Sequence, residues 1–148
     1  MKFELVVPTL GQIETLYLHL NARAHNISNK NPPSFAEHKN FVENHPYRKW
    51  MIIRDSKCAI GNVYIQYDNS IGLTVDPSVD RDRILQILKD IYLSYSPLPA
   101  VASIRIGEFF LKVASGNEKL QAILVDLDFH EVERSFVPSK SDLDAWRR

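Results

Sequence analysis

Two rhythms of apolar residues run along the chain, and they divide it into elements. KFELVV, residues 2–7, alternates and is rich in β-formers, and Pro8 stops it. Thr9 and Gln12 then form a capping-box pair, and Ile13, Leu16, Tyr17 and Leu20 follow at helical spacing. NISNKNPP, residues 26–33, is a polar loop whose prolines forbid regular structure. Ser34 and Glu37 repeat the capping box, and a second helix is predicted to about His45, ahead of Pro46.

KWMIIRD, CAIGNVYIQYD and SIGLTVD are three β-rich runs separated by short polar breaks around Ser56 and Asn69, the pattern of an antiparallel meander. Gly61 and Gly72 inside those runs predict a bulge or close backbone approach. From Asp80 the period becomes helical, with Ile84, Ile87, Leu88, Ile91 and Tyr95 on one face, predicting a helix over 82–94. SPLPAVASIRIG reads as loop with a short strand or turn, and EFFLKVA as a strand. A third capping box, Ser115 with Glu118, opens a helix predicted over 116–127, and FHEVERSFV closes as a strand. The order β α α β β β α β α β describes one mixed α/β unit over residues 1–138, followed by an unassigned tail, 139–148. The helical crossover between SIGLTV and EFFLKVA predicts that these two strands form the sole parallel pair.

Composition narrows the function classes. At 148 residues the chain suits one domain with a real core. Lys and Arg number 18 and Asp and Glu 18, so no global field attracts nucleic acid or an anionic membrane, and neither partner is expected. No apolar run reaches membrane-spanning length, and the cytoplasm is the expected location. Cys58 is the single cysteine and is expected to be a small buried strand residue. HExxH, CxxC, GxSxG and Walker patterns do not occur. His38 and His45, seven residues apart on one helix, stand about 10 Å from each other, too far for one metal, so no metal is expected. Trp50, Tyr64, Tyr67, Phe109, Phe110 and Trp146 lack the basic companions of a nucleic-acid stacking surface, so they read as core or as a dimer surface.

The opening FELVVPTLGQIETLYLHLNAR, the central SFAEHKNFVENHPYRKWMIIRDSKCAIGNVYIQYDNSIGLTVDP and the closing VASGNEKLQAILVDLDFHEVERSFV, in that order, resemble the GNAT superfamily of acyl-CoA-dependent N-acyltransferases. The resemblance implies an α+β fold with a mainly antiparallel sheet of six or seven strands and about four helices. It implies acetyl-CoA or another acyl-CoA as co-substrate, a small amine as acceptor, and a monomer or homodimer. Leu73, Thr74 and Val75 would hold the pantetheine arm. Asp80, Arg81, Asp82, Arg83 and Ile84 would lie at the pyrophosphate, Asn117 would line the cleft, and residues from Arg23 to Asn31 would shape the acceptor pocket.

Two motifs depart from the family pattern. Val75 and Pro77 match the approach to its glycine-rich phosphate loop, but the usual arginine falls on Asp80 and the glycines on Arg81, Arg83 and Leu85. Side chains there obstruct backbone approach to phosphate, and Asp80 and Asp82 add negative charge. Arg81 and Arg83 could supply charge-assisted bonds instead, or the stretch is simply an N-cap with solvated arginines. In the closing motif Asn117 and Phe129 match, whereas Leu120, Leu124 and Asp128 replace alanine, tyrosine and glycine, and a leucine donates no proton. No spacing singles out a base among Thr74, Ser115, Glu108 and His25, so the catalytic residues stay unassigned. An alternative reading is a GNAT-fold protein that has lost coenzyme binding and serves as a binding or assembly module.

Overall fold

The computed structural model describes residues 1–23 and 31–148. Its elements run β1 (Lys2–Leu5), α1 (Leu10–Asn21), α2 (Phe35–Glu43), β2 (Lys49–Asp55), β3 (Cys58–Ile65), β4 (Ser70–Val75), α3 (Arg81–Ser94), β5 (Phe110–Leu111), α4 (Glu118–Asp126) and α5 (Lys140–Trp146). The strands form one sheet in the order β1-β2-β3-β4-β5. All neighbours are antiparallel except β4 and β5, which pair in parallel through Ser70 with Phe110 and Ile71 with Leu111, as the crossover requires.

Both faces of the sheet are covered, which is why β2 reads as an unbroken apolar run instead of an alternation. Met51 and Ile53 turn to one face with Val63, Ile65 and Ile71, beneath Ile84, Ile87, Leu88 and Ile91 of α3 and Leu120 and Leu124 of α4. Trp50 and Ile52 turn to the other, beneath Ile13 and Leu16 of α1 and Val42 of α2. The α2 start carries the full capping box, with Ser34 and Glu37 exchanging bonds. At α1 only half of it forms. Thr9 accepts from the Gln12 amide, while the Gln12 side chain turns back to the Val7 amide and the Leu5 carbonyl, locking β1 to α1.

The meander turns fall where expected, and both need left-handed backbone: Ser56 has φ 56° and Asn69 φ 73°. At Gly61 the register between β2 and β3 shifts, and a Cβ there would stand 2.3 Å from the Thr74 carbonyl oxygen. A Cβ on Gly72 would meet the Tyr64 ring at 2.0 Å, because that ring lies across its cross-strand partner. Both glycines therefore mark close approach.

Four expectations are corrected. The sheet has five strands, not six or seven, because residues 129–137 form no ladder and 130–137 stand exposed. The described residues include five helices, the fifth in the tail, where Ser139 caps α5. Helix α4 is capped by Asn117, which accepts from the Leu120 amide, so the pair Ser115 and Glu118 does not open it. Cys58 is exposed beside the turn, not buried.

Residues 95–109, between α3 and β5, take their position from Asn69. This fully buried residue donates through its side chain to the carbonyls of Leu98 (2.9 Å) and Ile106 (2.7 Å) and accepts from the Leu98 amide (2.7 Å). Its own carbonyl accepts from the Phe110 amide. Asn69→Ala should cost about 3–5 kcal/mol, since it removes three hydrogen bonds made by a fully buried side chain and forces alanine into left-handed backbone. Urea denaturation of the variant checks this, and a loss below about 1 kcal/mol would contradict it.

Candidate functional site

β4 outruns its parallel partner, and the opening this leaves is the site. The phase of the β3 ladder is fixed at its two ends by the Gln66 amide donating to Ser70 and the Asp76 amide to Ile60. Even-numbered residues of β4 therefore bond to β3, and odd-numbered ones direct their backbone groups towards β5. Ile71 uses its carbonyl there, accepting from the Lys112 amide at 3.0 Å. No backbone bond from β5 or the segment after it reaches Leu73 or Val75. These two residues thus present an open edge to a cavity of about 300 Å³, whose far side is Lys112 to Ala114 and whose floor includes Ile84, Leu120 and Ile123.

Of the cofactor positions read from the sequence, Leu73, Thr74, Val75, Ile84 and Asn117 lie on this wall, and Asp80, Arg81, Asp82 and Arg83 do not. The turn from β4 into α3 satisfies itself. Asp76 accepts from the amide and hydroxyl of Ser78, and those bonds hold its carboxyl below the usual carboxylate range. The Val79 amide donates to the Asp76 carbonyl, and Asp80 caps α3 by accepting from the Arg83 amide at 2.9 Å. Pro77 has no N–H to offer. Only the amides of residues 80–82 are left, flanked by the Asp80 and Asp82 carboxylates. Both arginines are engaged: Arg81 pairs with Asp126 and Asp82, and Arg83 with Asp55. Lys119 crosses the turn, its Nζ donating to the carbonyls of Pro77 (2.7 Å) and Val79 (3.4 Å). The strand residues of the expected site therefore line the cleft, and the charged residues of the turn do not.

The closing motif keeps its shape without its chemistry. Asp128 adopts φ 65°, the left-handed conformation that a glycine would take at this helix end. Leu124 is buried in the core under α4. Asn117 lines the cleft and spends its side-chain oxygen on the Leu120 amide.

The wall on the α1 side holds a group that sequence reasoning missed. Trp50 Nε1, which can only donate, gives its hydrogen to Asn62 Oδ1 at 3.1 Å. Asn62 Nδ2 must then donate to His19 Nδ1, 3.1 Å away, leaving the His19 proton on Nε2, 3.4 Å from the Ala59 carbonyl oxygen. Burial lowers the His19 pKa, in accord with this neutral tautomer. The only hint in the sequence was an asparagine inside an otherwise apolar strand. Tyr64 lines the cleft beside Gly72 and stacks on Tyr47 at 4.1 Å, and burial pushes the Tyr47 hydroxyl up to about 12.

Among the other base candidates Thr74 is on the wall, Ser115 and Glu108 are not, and His25 lies outside the described residues. Arg23 lines the cleft, while residues 24–30 of the expected acceptor segment lie outside the description. His38 bonds to the Ile13 carbonyl and His45 packs on Tyr47 and Trp50. Among the described residues no three His, Cys, Asp or Glu side chains are grouped to hold a metal. The aromatics divide: Trp50 is buried, while Tyr67 and Trp146 are exposed. No described helix is long and apolar enough to cross a membrane.

No protein-family model matches the chain, and no curated protein matches it. Solved structures do. A possible acetyltransferase from Clostridium difficile 630 aligns over 94% of this chain and 96% of its own, with a TM-score of 0.55 at 12% identity. The spermidine N-acetyltransferase from Vibrio cholerae, a dodecamer in an intermediate state, aligns over 89% of this chain and 80% of its own, with a TM-score of 0.54 at 18% identity. The chain shares the fold of these two structures, an α+β arrangement on a mostly antiparallel sheet.

Burial lowers the pKa of His19, His38 and His45 alike. The unfolded chain therefore takes up protons first as pH falls below the ordinary value of 6.5. Stability is full above that value and should decline from about pH 7 towards pH 5. Thermal unfolding across this range should show the decline, with a shallower slope in His19→Gln. A flat profile would contradict it.

Proposed function

We propose that the protein is a GNAT-type N-acyltransferase, passing an acyl group from acyl-CoA, with acetyl-CoA the leading donor, to a small primary amine such as an amino sugar or amino acid. The observation that carries this reading is the open backbone edge at Leu73 and Val75 over an apolar-floored cleft. An extended amide-containing arm can add to that edge as a strand would. The likeness to a spermidine N-acetyltransferase, a protein whose substrate is an amine, supports the same chemistry.

Acyl transfer forms a C–N bond and breaks a C–S bond, so the amine loses a proton and the sulfur gains one. His19, neutral and on the cleft wall, accepts the amine proton at Nδ1 once the Asn62 bond opens. The β4 amides facing the cleft can stabilise the developing oxyanion. Leu124 supplies no proton to the sulfur, so water serves. His19→Gln should lower kcat with little change in donor affinity. Donor binding is weak, because the turn at 76–83 gives the Ser78 and Arg83 amides to its own carboxylates and sets Asp80 and Asp82 beside the amides that remain.

A second reading, a GNAT-fold module without coenzyme binding, is favoured by that same turn together with Leu124. Calorimetric titration with acetyl-CoA at low and moderate salt separates the two, alongside thiol release with a panel of small amines. Weaker-than-micromolar binding, lost in Ala114→Trp, which fills the cleft, and unchanged in Arg81→Ala, is the expected result. No binding and no thiol release from a well-folded protein would leave the non-catalytic module.

A further inference from the structure

The cleft wall carries an excess of positive charge. Among the described residues Arg23, Lys112 and Lys119 line it against a single carboxylate, Asp76. Lys112 is paired with Asp68, and Lys119 gives its hydrogens to the Pro77 and Val79 carbonyls. The Asp76 carboxylate is taken by the amide and hydroxyl of Ser78. The Arg23 guanidinium has no hydrogen bond or ion pair among the described residues, and AHNISNK, the stretch that follows it, contains no acid. A planar fork of donors without an acceptor, set on a cleft wall, suits a carboxylate or a phosphate.

Tyr64 brings a second donor to the same wall, and its ring is fixed twice. It stacks on Tyr47 with centroids 4.1 Å apart and planes 6° from parallel, and its hydroxyl end overlies Gly72, where a Cβ would stand 2.3 Å from the oxygen. No described residue bonds to that hydroxyl. Burial raises the Tyr47 hydroxyl, Tyr64 adds to the rise and Arg23 opposes it, so the three polar ends lie within electrostatic reach of one another. Strand alternation sets Tyr64 on the same sheet face as Asn62, which orients His19, and Arg23 follows His19 by four residues, just past the end of α1. The unclaimed donors and the neutral imidazole therefore share one side of the cleft.

We propose that the acceptor amine also carries an anionic oxygen group, a carboxylate or a phosphate, bound by the Arg23 guanidinium and the Tyr64 hydroxyl. This rests on the acyltransferase reading and makes Arg23 the residue that sets acceptor specificity. The anion is anchored beside His19, so the amine of a small acceptor is delivered to the imidazole that takes its proton. A polyamine lacks the anion and brings more positive charge to a wall that already has three cations. Tyr47 acts through Tyr64, holding its ring in place.

Thiol release from acetyl-CoA tests this with matched pairs: amino acids of increasing amine-to-carboxylate distance against their methyl esters, and glucosamine 6-phosphate against glucosamine, with spermidine as the polycation. The anionic member of one pair should have a kcat/KM at least about tenfold above its neutral counterpart, and the pair that shows it distinguishes carboxylate from phosphate. Arg23→Gln should raise the KM of that acceptor about tenfold with kcat changed less, and Tyr64→Phe, which keeps the stack, about threefold. Neutral amines or spermidine used as well as the anionic ones overturn the proposal, as does an Arg23→Gln effect equal on both members of a pair. If no amine releases thiol, the acyltransferase reading fails by itself, and calorimetric titration with the same anionic amines still decides the anion site. Binding that is lost in Arg23→Gln then supports it, and no binding overturns it.

Discussion

The fold turns on Asn69. Its left-handed backbone closes the β3–β4 turn, its side chain holds Leu98 and Ile106, and its carbonyl receives the first amide of β5. A parallel strand has no tight turn to fix its register, so something else must say where β5 begins. One buried amide does this. Because β5 starts at Phe110 and bends away after Leu111, β4 keeps Leu73 and Val75 free, and the cleft exists. Asparagine suits the place because it tolerates left-handed backbone and can satisfy both donors and acceptors locally.

The cleft then meets a turn that has settled most of its own hydrogen bonds. A helix N-terminus attracts an anion because its first amides lack partners. Here Asp80 is that anion, built into the chain, and Asp76 serves the turn before it. Arg81 and Arg83, which could have met phosphate, are drawn to Asp126, Asp82 and Asp55 instead. These pairs are exposed and contribute little to stability. Their consequence is that the positive charge of these two arginines is already committed.

The other wall is determined by a chain of forced choices. An indole can only donate, so Asn62 has one orientation, and His19 has one tautomer. A buried polar network of this kind is stable only when every member is satisfied. It places an uncharged imidazole on a surface that also carries Arg23 and Tyr64.

The sequence by itself determined the element order through α4, both meander turns, the two close-packed glycines and the parallel pair, because each rests on local chemistry: periodicity, caps, left-handed backbone and crossover length. It also determined that the usual phosphate-loop glycines and the motif tyrosine are replaced. Tertiary structure decided what local pattern cannot. Residues 129–137 are rich enough in β-formers to predict a strand, but a strand needs a neighbour, and among the described residues they pair with none. Asn117 took the cap from Ser115 because its oxygen reaches the Leu120 amide. The fate of Arg81 and Arg83 depended on Asp126 and Asp55, 45 and 28 positions away along the chain. His19 became a site residue only because α1 laid it against Asn62, 43 positions further on.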